Sequence, residues 1–543
     1  MHTPHPRSRS RLPALAVIVL LWLVTALGGC ASLPAGAHRP LSQAIEAGDS
    51  TLARIARHNT APRPDPTGQP ALSGFRLLPN GDHALDARLA LVQRAERSLD
   101  AQYYLISADD SGLQFLRALR DAAARGVRVR LLVDDLYTAG EQALLAGLAA
   151  HPNVELRLYN PLPVRGGGFA TRLLLSLHEF ERINQRMHNK LLIADGAFAL
   201  AGGRNIGDEY FMRGASANFI DLDVLASGPV VAELAAVFDR YWNHPRAWPV
   251  QALADGPQDP DALREAFERQ VDTAAAGIHV SPRDVLGRSS VSTQLAAGQL
   301  DQHFAAVRVV ADAPDKAAQA PALPPAPVTP EARPGAGAMD SLLSLMRSAR
   351  SEVVITSPYF VPGARGIALL QQAADHGIQV RLVTNSIAAT DEPLVHWGYA
   401  RYRPAMLKLG VDIHELSPQL AARSNSLGPF GSSAARLHAK VAVVDRRFVA
   451  IGSVNMDGRS ARLNTEMGLV IDSPALAADI ARLMHPGTAA GSYQLRLVDG
   501  GERIEWLASE GGRQQVLAQE PGSGWVTRLK LSLLSLLIAE EML

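Results

Sequence analysis

Two strings of the sequence carry the residue types that phosphoryl chemistry needs. The first runs His188-Asn189-Lys190, then Asp195, then Gly202-Gly203-Arg204-Asn205. The second runs His438-Ala439-Lys440, then Asp445, then Gly452-Ser453-Val454-Asn455. Both read HxKxxxxDxxxxxxG(G/S)xN, and their histidines lie 250 residues apart. Imidazole titrates near neutral pH, so one ring can attack an electrophile while another protonates the departing oxygen. Lys190 and Lys440 supply two cations, and Asn205 and Asn455 add amide donors. The small residues Gly203 and Ser453 let backbone approach an anion closely. A phosphoryl group fits that donor set best. Neither string suffices alone, so the two are expected to meet at one centre.

On a strand of period two, His188 and Lys190 share a face and Asp195 points the other way. His438, Lys440 and Asp445 repeat that parity. The two aspartates complete the catalytic motif, and their direction predicts that they brace backbone behind the strand. Each imidazole also needs an acceptor for its other ring nitrogen. Glu466 precedes the apolar strand Met467–Ile471, and aligning Pro229 with Pro474 matches it to Asp221. These two carboxylates are the candidate orienters, with Asp223 as the substitute if the register slips by two.

The elements around the motifs repeat as well. A helix over Leu85–Ser98, a strand over Leu99–Ile106, a helix over Leu113–Arg125 and a strand over Val127–Val133 follow βαβ logic. The same order recurs over Met339–Ala349, Glu352–Ser357, Gly366–His376 and Ile378–Val383. Gly126 and Gly377 fit helix C-caps at matching places. An internal repeat of this length predicts two pseudo-symmetric α/β/α halves, each a mixed, largely parallel sheet flanked by helices, that share one site. The predicted halves span 76–250 and 338–490. Residues 251–337 form a linker or insertion, rich in Ala and Pro over 312–337. Residues 31–75 are a tether and N-terminal arm, with a helical stretch around Leu41–Arg57. Residues 491–543 are a C-terminal extension of short strands and the apolar helix Leu529–Leu543.

The chain's 543 residues include 53 Lys plus Arg and 53 Asp plus Glu, a net charge of zero. Nucleic acid is not an expected partner, since its binding leans on phosphate neutralisation. Only five of the basic residues are lysine, and two of those stand in the motifs. Arg7, Arg9 and Arg11 precede an apolar run from Ala14 to Leu27 that ends in Leu27-Gly28-Gly29-Cys30. That pattern reads as a secretory signal over residues 1–30 whose end resembles a bacterial lipobox, with Cys30, the single cysteine, as the expected lipidation site and a plain signal peptide or uncleaved anchor as the alternative. A lipid-anchored protein of the cell envelope, facing the periplasm, is expected, with Ala31 favouring the outer over the inner membrane. His151, His178, His396 and His414 lack such framing and read as filler. The exception is His396 with Trp397, Tyr399, Arg401 and Arg403, which could line a headgroup entrance or equally form a solvated helix face. The apolar stretch Leu173–Leu177 could lead acyl chains toward the site, with a core helix as the competing reading.

The paired motifs resemble the phospholipase D superfamily over roughly 76–490. Arg182-Ile183-Asn184-Gln185-Arg186-Met187-His188-Asn189-Lys190, Asn205-Ile206-Gly207-Asp208-Glu209-Tyr210-Phe211 and Ser357-Pro358-Tyr359-Phe360-Val361-Pro362 look like the C-type branch of bacterial cardiolipin synthases. Glu520-Pro521 fits that branch too. The resemblance implies transfer through a covalent phosphohistidine, with no metal or other cofactor. By the same resemblance His188 is the nucleophile and His438 the general acid, later the base. Lys190, Lys440, Asn205 and Asn455 hold the phosphate. Phosphatidylglycerol and a phosphatidyl donor are the implied substrates. Hydrolysis at the same site is the alternative. A nuclease and a non-enzymatic lipid-binding lipoprotein stand behind it; the latter predicts a damaged motif, and both motifs are intact.

Overall fold

The repeat read in the sequence is a repeat in space. The computed structural model describes residues 32–34, 37–59, 72–254, 256–319, 337–424, 433–484, 491–501, 503–510 and 513–524. The first unit contributes β1 (Ser73–Leu78), β2 (Ser98–Tyr103), β3 (Arg128–Asp134), β4 (Val154–Tyr159) and β5 (Leu191–Ala194). It continues with β6 (Phe198–Gly202), β7 (Ala217–Ile220), β8 (Asp223–Ser227) and β9 (Ala247–Pro249). The second contributes β10 (His303–Ala311), β11 (Glu352–Thr356), β12 (Gln379–Asn385), β13 (Asp412–Leu416), β14 (Ala434–Leu437) and β15 (Val441–Val444). It ends with β16 (Phe448–Gly452), β17 (Met467–Asp472), β18 (Ser492–Val498), β19 (Arg503–Glu510) and β20 (Arg513–Leu517).

Pairing runs from β9 through β4, β3, β2, β5, β6 and β8 to β1. It crosses to the second unit where β1 meets β10, then continues through β17, β16, β15, β11, β12 and β13. The hairpin strands β18, β19 and β20 extend the far edge. Reversing the strand order at the β1–β10 seam gives a pseudo-two-fold. A second, two-stranded sheet pairs β7 with β14 in parallel, one strand from each unit. One apolar core holds Phe75, Leu77, Met187 and Leu191 of the first unit against Leu437, Val441, Ile451 and Leu469 of the second. The halves are therefore not separable bodies. Burying that shared apolar surface is the term that holds them together.

The α/β class is as predicted, but the sheet is less parallel than expected. Among the described residues of the large sheet, only β2, β3 and β4, and β11, β12 and β13, run parallel. Consecutive left-handed residues turn the chain straight back, Asp195 (φ 53°) with Gly196 (φ 61°) and Asp445 (φ 53°) with Arg446 (φ 52°). Such turns match the twist of antiparallel hairpins. The region read as a linker also holds the helices Pro260–Val271 and Val291–Ala296 and all of β10. The second unit thus takes its seam strand from before the predicted boundary at 338. In the arm, the helix lies at Thr51–Asn59 and buries Leu52 and Ile55. The Ala/Pro run over 320–336, the Cys30 lipobox and the predicted Leu529–Leu543 helix lie outside the described residues. Among the described residues, no helix is long and apolar enough to cross a membrane.

Candidate active site

Both motif histidines lie just before a strand, not within one: β5 begins at Leu191 and β15 at Val441. Each histidine segment is instead fastened to the opposite unit. Met187 forms a parallel bridge with Thr465, and His188 N donates to Thr465 O at 2.9 Å. His438 N donates to Ile220 O at 2.8 Å, at the end of the β7–β14 pair. The sequence expectation of one long strand fails here because the partner of each segment lies hundreds of residues away.

That arrangement exchanges the orienting carboxylates. Glu466 of the second unit accepts from Nδ1 of His188 at 2.9 Å. Asp221 of the first unit accepts from Nδ1 of His438 at 2.6 Å. A carboxylate in an ion pair is an acceptor only, so each ring carries its proton on Nδ1 and keeps a lone pair on Nε2. Burial lowers the His188 pKa to about 4, so the ring is neutral at physiological pH. Burial and the nearby Lys440 ammonium lower that of His438. Burial opposes ionisation of Glu466, but its pairing with the His188 ring, the Lys190 ammonium and the Ser453 hydroxyl outweighs it and lowers its pKa. Asp221 is likewise held below the usual carboxylate range, burial being outweighed by His438 and Lys440.

The lysines sit beside their own histidines. Lys190 Nζ donates to His188 O at 2.8 Å, and Lys440 Nζ to His438 O at 2.5 Å. Lys440 Nζ also lies 3.0 Å from His438 Nδ1, but that nitrogen already donates to Asp221 and has no lone pair to offer. Burial lowers the Lys440 pKa to about 8 and holds that of Lys190 well below the ordinary lysine value, with Lys440 adding to the latter. Each lysine feels both Glu466 and Asp221, so the two motifs share one electrostatic field. Asn205 and Asn455 are buried, and the Oδ1 of each has no partner. Asn205 Nδ2 faces the Tyr210 hydroxyl at 2.9 Å. Turning that amide lets the hydroxyl donate to Oδ1 and frees Nδ2 as a donor.

Gly203 and Ser453 act differently from expectation. A Cβ on Gly203 would sit 2.2 Å from Asp221 Oδ1, so the glycine makes room for the carboxylate. Ser453 commits its hydroxyl to Glu466 Oε2 at 2.5 Å and its N–H to Met467 O at 2.9 Å. Neither leaves a free donor for phosphate. Asp195 and Asp445 stay outside the reacting centre. Asp195 accepts from the N–H groups of Glu96, Arg97 and Ser98, and Asp445 from those of Arg350, Ser351 and Glu352. They tie the β5–β6 and β15–β16 turns to the starts of β2 and β11. Asp223 is taken up by Arg88 at 2.9 Å and Arg204 at 3.2 Å. His396 belongs to a buried ion-pair cluster with Arg403 and Glu520, not to an entrance. Among the described residues, no group of three or more His, Cys, Asp or Glu is placed to hold a metal ion.

Sequence reading missed four neighbours. Tyr104 sets its ring edge against His188 at 5.1 Å, and Tyr210 does so against His438 at 5.2 Å. Ser460 Oγ donates to Glu466 Oε1 at 2.7 Å. Asp312, placed by sequence in the linker, is buried and accepts from Glu466 N at 2.9 Å. Its backbone N–H returns a bond to Glu466 O at 2.9 Å. The signal for Asp312 was available: it directly follows the apolar, valine-rich run of β10.

A family model described as "Cardiolipin synthase, PLD-like domain" matches residues 89–242 and 342–485. The relative "Cardiolipin synthase C" of Escherichia coli K12 is 38% identical over 476 residues, 87% of this chain and 97% of its own. A "Cardiolipin synthase" of Geobacillus kaustophilus is 27% identical over 393 residues, 72% of this chain and 61% of its own. The crystal structure of phosphatidylserine synthase from Haemophilus influenzae Rd KW20 superposes with a TM-score of 0.52 at 12% identity, over 82% of this chain and 92% of that one. That last likeness concerns the fold. Both motif units lie within the matched segments, and so the chain belongs to the PLD-like cardiolipin synthase family, a phosphatidyltransferase of the phospholipase D superfamily.

Proposed function

We propose that this chain makes cardiolipin, moving a phosphatidyl group from a donor phospholipid onto a hydroxyl of phosphatidylglycerol. His188 Nε2 attacks phosphorus, the bond to the donor's headgroup oxygen breaks, and His438 supplies the proton that the oxygen takes. The resulting phosphohistidine is then attacked by the acceptor hydroxyl. His438 removes that hydroxyl's proton, and the phosphorus–nitrogen bond breaks to restore His188. The observation that carries this reading is the exchanged pair of bonds, Glu466 to His188 and Asp221 to His438. It leaves two neutral rings with free Nε2 lone pairs in one cationic site. An incoming phosphodiester anion raises the pKa of His438 and so favours its acid form. The near-complete coverage of the Escherichia coli relative supports the choice of lipids. Lipidation of Cys30 would hold the site at the periplasmic face of the envelope, preferentially the outer membrane.

Purified full-length protein with labelled phosphatidylglycerol, with and without phosphatidylethanolamine, tests this. Cardiolipin is the expected product. Phosphatidic acid alone would make the chain a hydrolase, and no turnover would make it a lipid-binding protein. His188→Ala and His438→Ala should each abolish product. Globomycin-sensitive processing tests the lipid anchor at Cys30.

A further inference from the structure

The segment just upstream of His188 has its polarity reversed. In the helix Phe169–Leu175 the buried side chain is Arg172, whose Nη2 donates to Asp135 Oδ2 at 2.8 Å. Arg165 reaches the same oxygen at 2.5 Å. Charges thus pin the segment inward while its apolar groups face out. Phe169 is 40% exposed, Leu174 58%, Leu177 46% and Phe180 42%, and Tyr137, which stacks on Phe169, is 42% exposed. These five make up half of the large apolar side chains exposed among the described residues. A soluble surface element buries its leucines and exposes its arginines. A clustered apolar patch of this kind marks a contact with a partner or a lipid surface.

The patch is continuous with the catalytic centre. The Phe169 ring stacks on Tyr137 with centroids 5.6 Å apart. Tyr137 meets Tyr104 edge-on at 5.4 Å, and Tyr104 meets His188 edge-on at 5.1 Å. An unbroken row of rings therefore joins the exposed patch to the nucleophile. A protein partner needs no such row. A lipid does, because its acyl chains must stay in an apolar medium while its phosphate reaches the imidazole.

We propose that Phe169, Leu174, Leu177, Phe180 and Tyr137 insert into a phospholipid surface and that the aromatic row guides the lipid phosphate to His188. The proposal rests on the phosphatidyltransferase reading for its choice of occupant. It is tested in the full-length chain with Cys30→Ser, so that a single introduced cysteine carries an environment-sensitive fluorophore. Leu174→Cys is the reporter, and Val516→Cys, 48% exposed on β20, is the control. Equimolar phosphatidylglycerol–phosphatidylethanolamine vesicles should blue-shift the label at 174 and leave that at 516 unchanged. A silent label at 174 overturns the proposal. So does a label already in an apolar setting before vesicles are added, which would mean another part of the chain or a second copy covers the patch. The double variant Leu174→Ser/Leu177→Ser should lose about tenfold or more of its turnover on vesicles. It should keep its turnover of monomeric dihexanoyl phosphatidylglycerol. Equal loss on both substrates would make the patch structural and also overturn the proposal. If the unaltered sites turn over neither lipid, the transferase reading fails, and the label at 174 still decides the surface.

Discussion

Glu466→Gln changes one atom and removes both a charge and an acceptor. The Glu466 carboxylate receives three hydrogen bonds, from His188 Nδ1 at 2.9 Å, Ser453 Oγ at 2.5 Å and Ser460 Oγ at 2.7 Å. An amide has one oxygen for those three donors. If that oxygen stays on the His188 side, the ring keeps its tautomer and loses a charge-assisted bond. Such bonds contribute about 1.5–3 kcal/mol, roughly 10–150-fold in rate. If the oxygen turns toward Ser460, the NH2 group faces Nδ1 and drives the ring proton onto Nε2. The attacking lone pair is then gone, and the loss approaches the ~10⁴-fold seen for the matching change behind a catalytic histidine in serine proteases. The assay is the single-turnover rate on labelled phosphatidylglycerol, with Asp221→Asn as the companion variant. We expect kcat to fall by at least about tenfold with KM little changed, because the lysines remain in place. A Glu466→Gln rate within about twofold of the parent would refute the orienting role and the exchange argument with it.

Three further outcomes follow from the same geometry. Gly203→Ala places a methyl carbon 2.2 Å from Asp221 Oδ1, and the carboxylate must leave His438; activity should drop about 10²-fold or more while circular dichroism stays native. Asp195→Ala takes the acceptor from three backbone N–H groups beneath a fully buried carboxylate, that of Ser98 being itself buried, whereas the acceptor site of Asp445 is open to water. Denaturant melts should show a cost of about 2–4 kcal/mol for the first and about 1 kcal/mol for Asp445→Ala; equal costs would contradict the burial argument. For pH, the lowered His188 pKa keeps the nucleophile neutral down to about 4, while the Lys440 ammonium is lost above about 8. His438 must enter protonated and burial lowers its pKa below the ordinary imidazole value, so free-enzyme kcat/KM should already decline as pH rises toward neutrality and steepen through about 8, with no loss of nucleophile between 7 and 5. The unfolded chain takes up the His188 proton near 6.5 and the fold only near 4, so stability should fall as pH drops across that window, read as a falling denaturant midpoint.

The α/β repeat and the residue types of the centre were legible because both are written locally. Alternation and helical spacing reveal the strands and helices of each unit, and the HxK spacing sets histidine and lysine side by side. Strand lengths and directions were less legible. The two-residue left-handed turns at Asp195-Gly196 and Asp445-Arg446 convert what reads as parallel strands into hairpins. Strand β10 was hidden behind a Pro-rich stretch whose composition outweighed the apolar, valine-rich run before it.

Sequence alone determined which imidazoles, ammonium groups and carboxylates the centre contains, since chemistry demands those side chains whatever the fold. Tertiary structure decided who serves whom. Glu466 faces His188 and Asp221 faces His438 only because Thr465 and Ile220 hold the opposing histidine segments by backbone hydrogen bonds. It also gave Ser453 and Gly203 to the carboxylates and brought Asp312 behind Glu466. The histidine–carboxylate contacts join residues more than 200 apart and are set by how the two units pack, whereas the Ser453 and Gly203 contacts lie within one unit and follow from the β16–β17 and β6–β8 pairings.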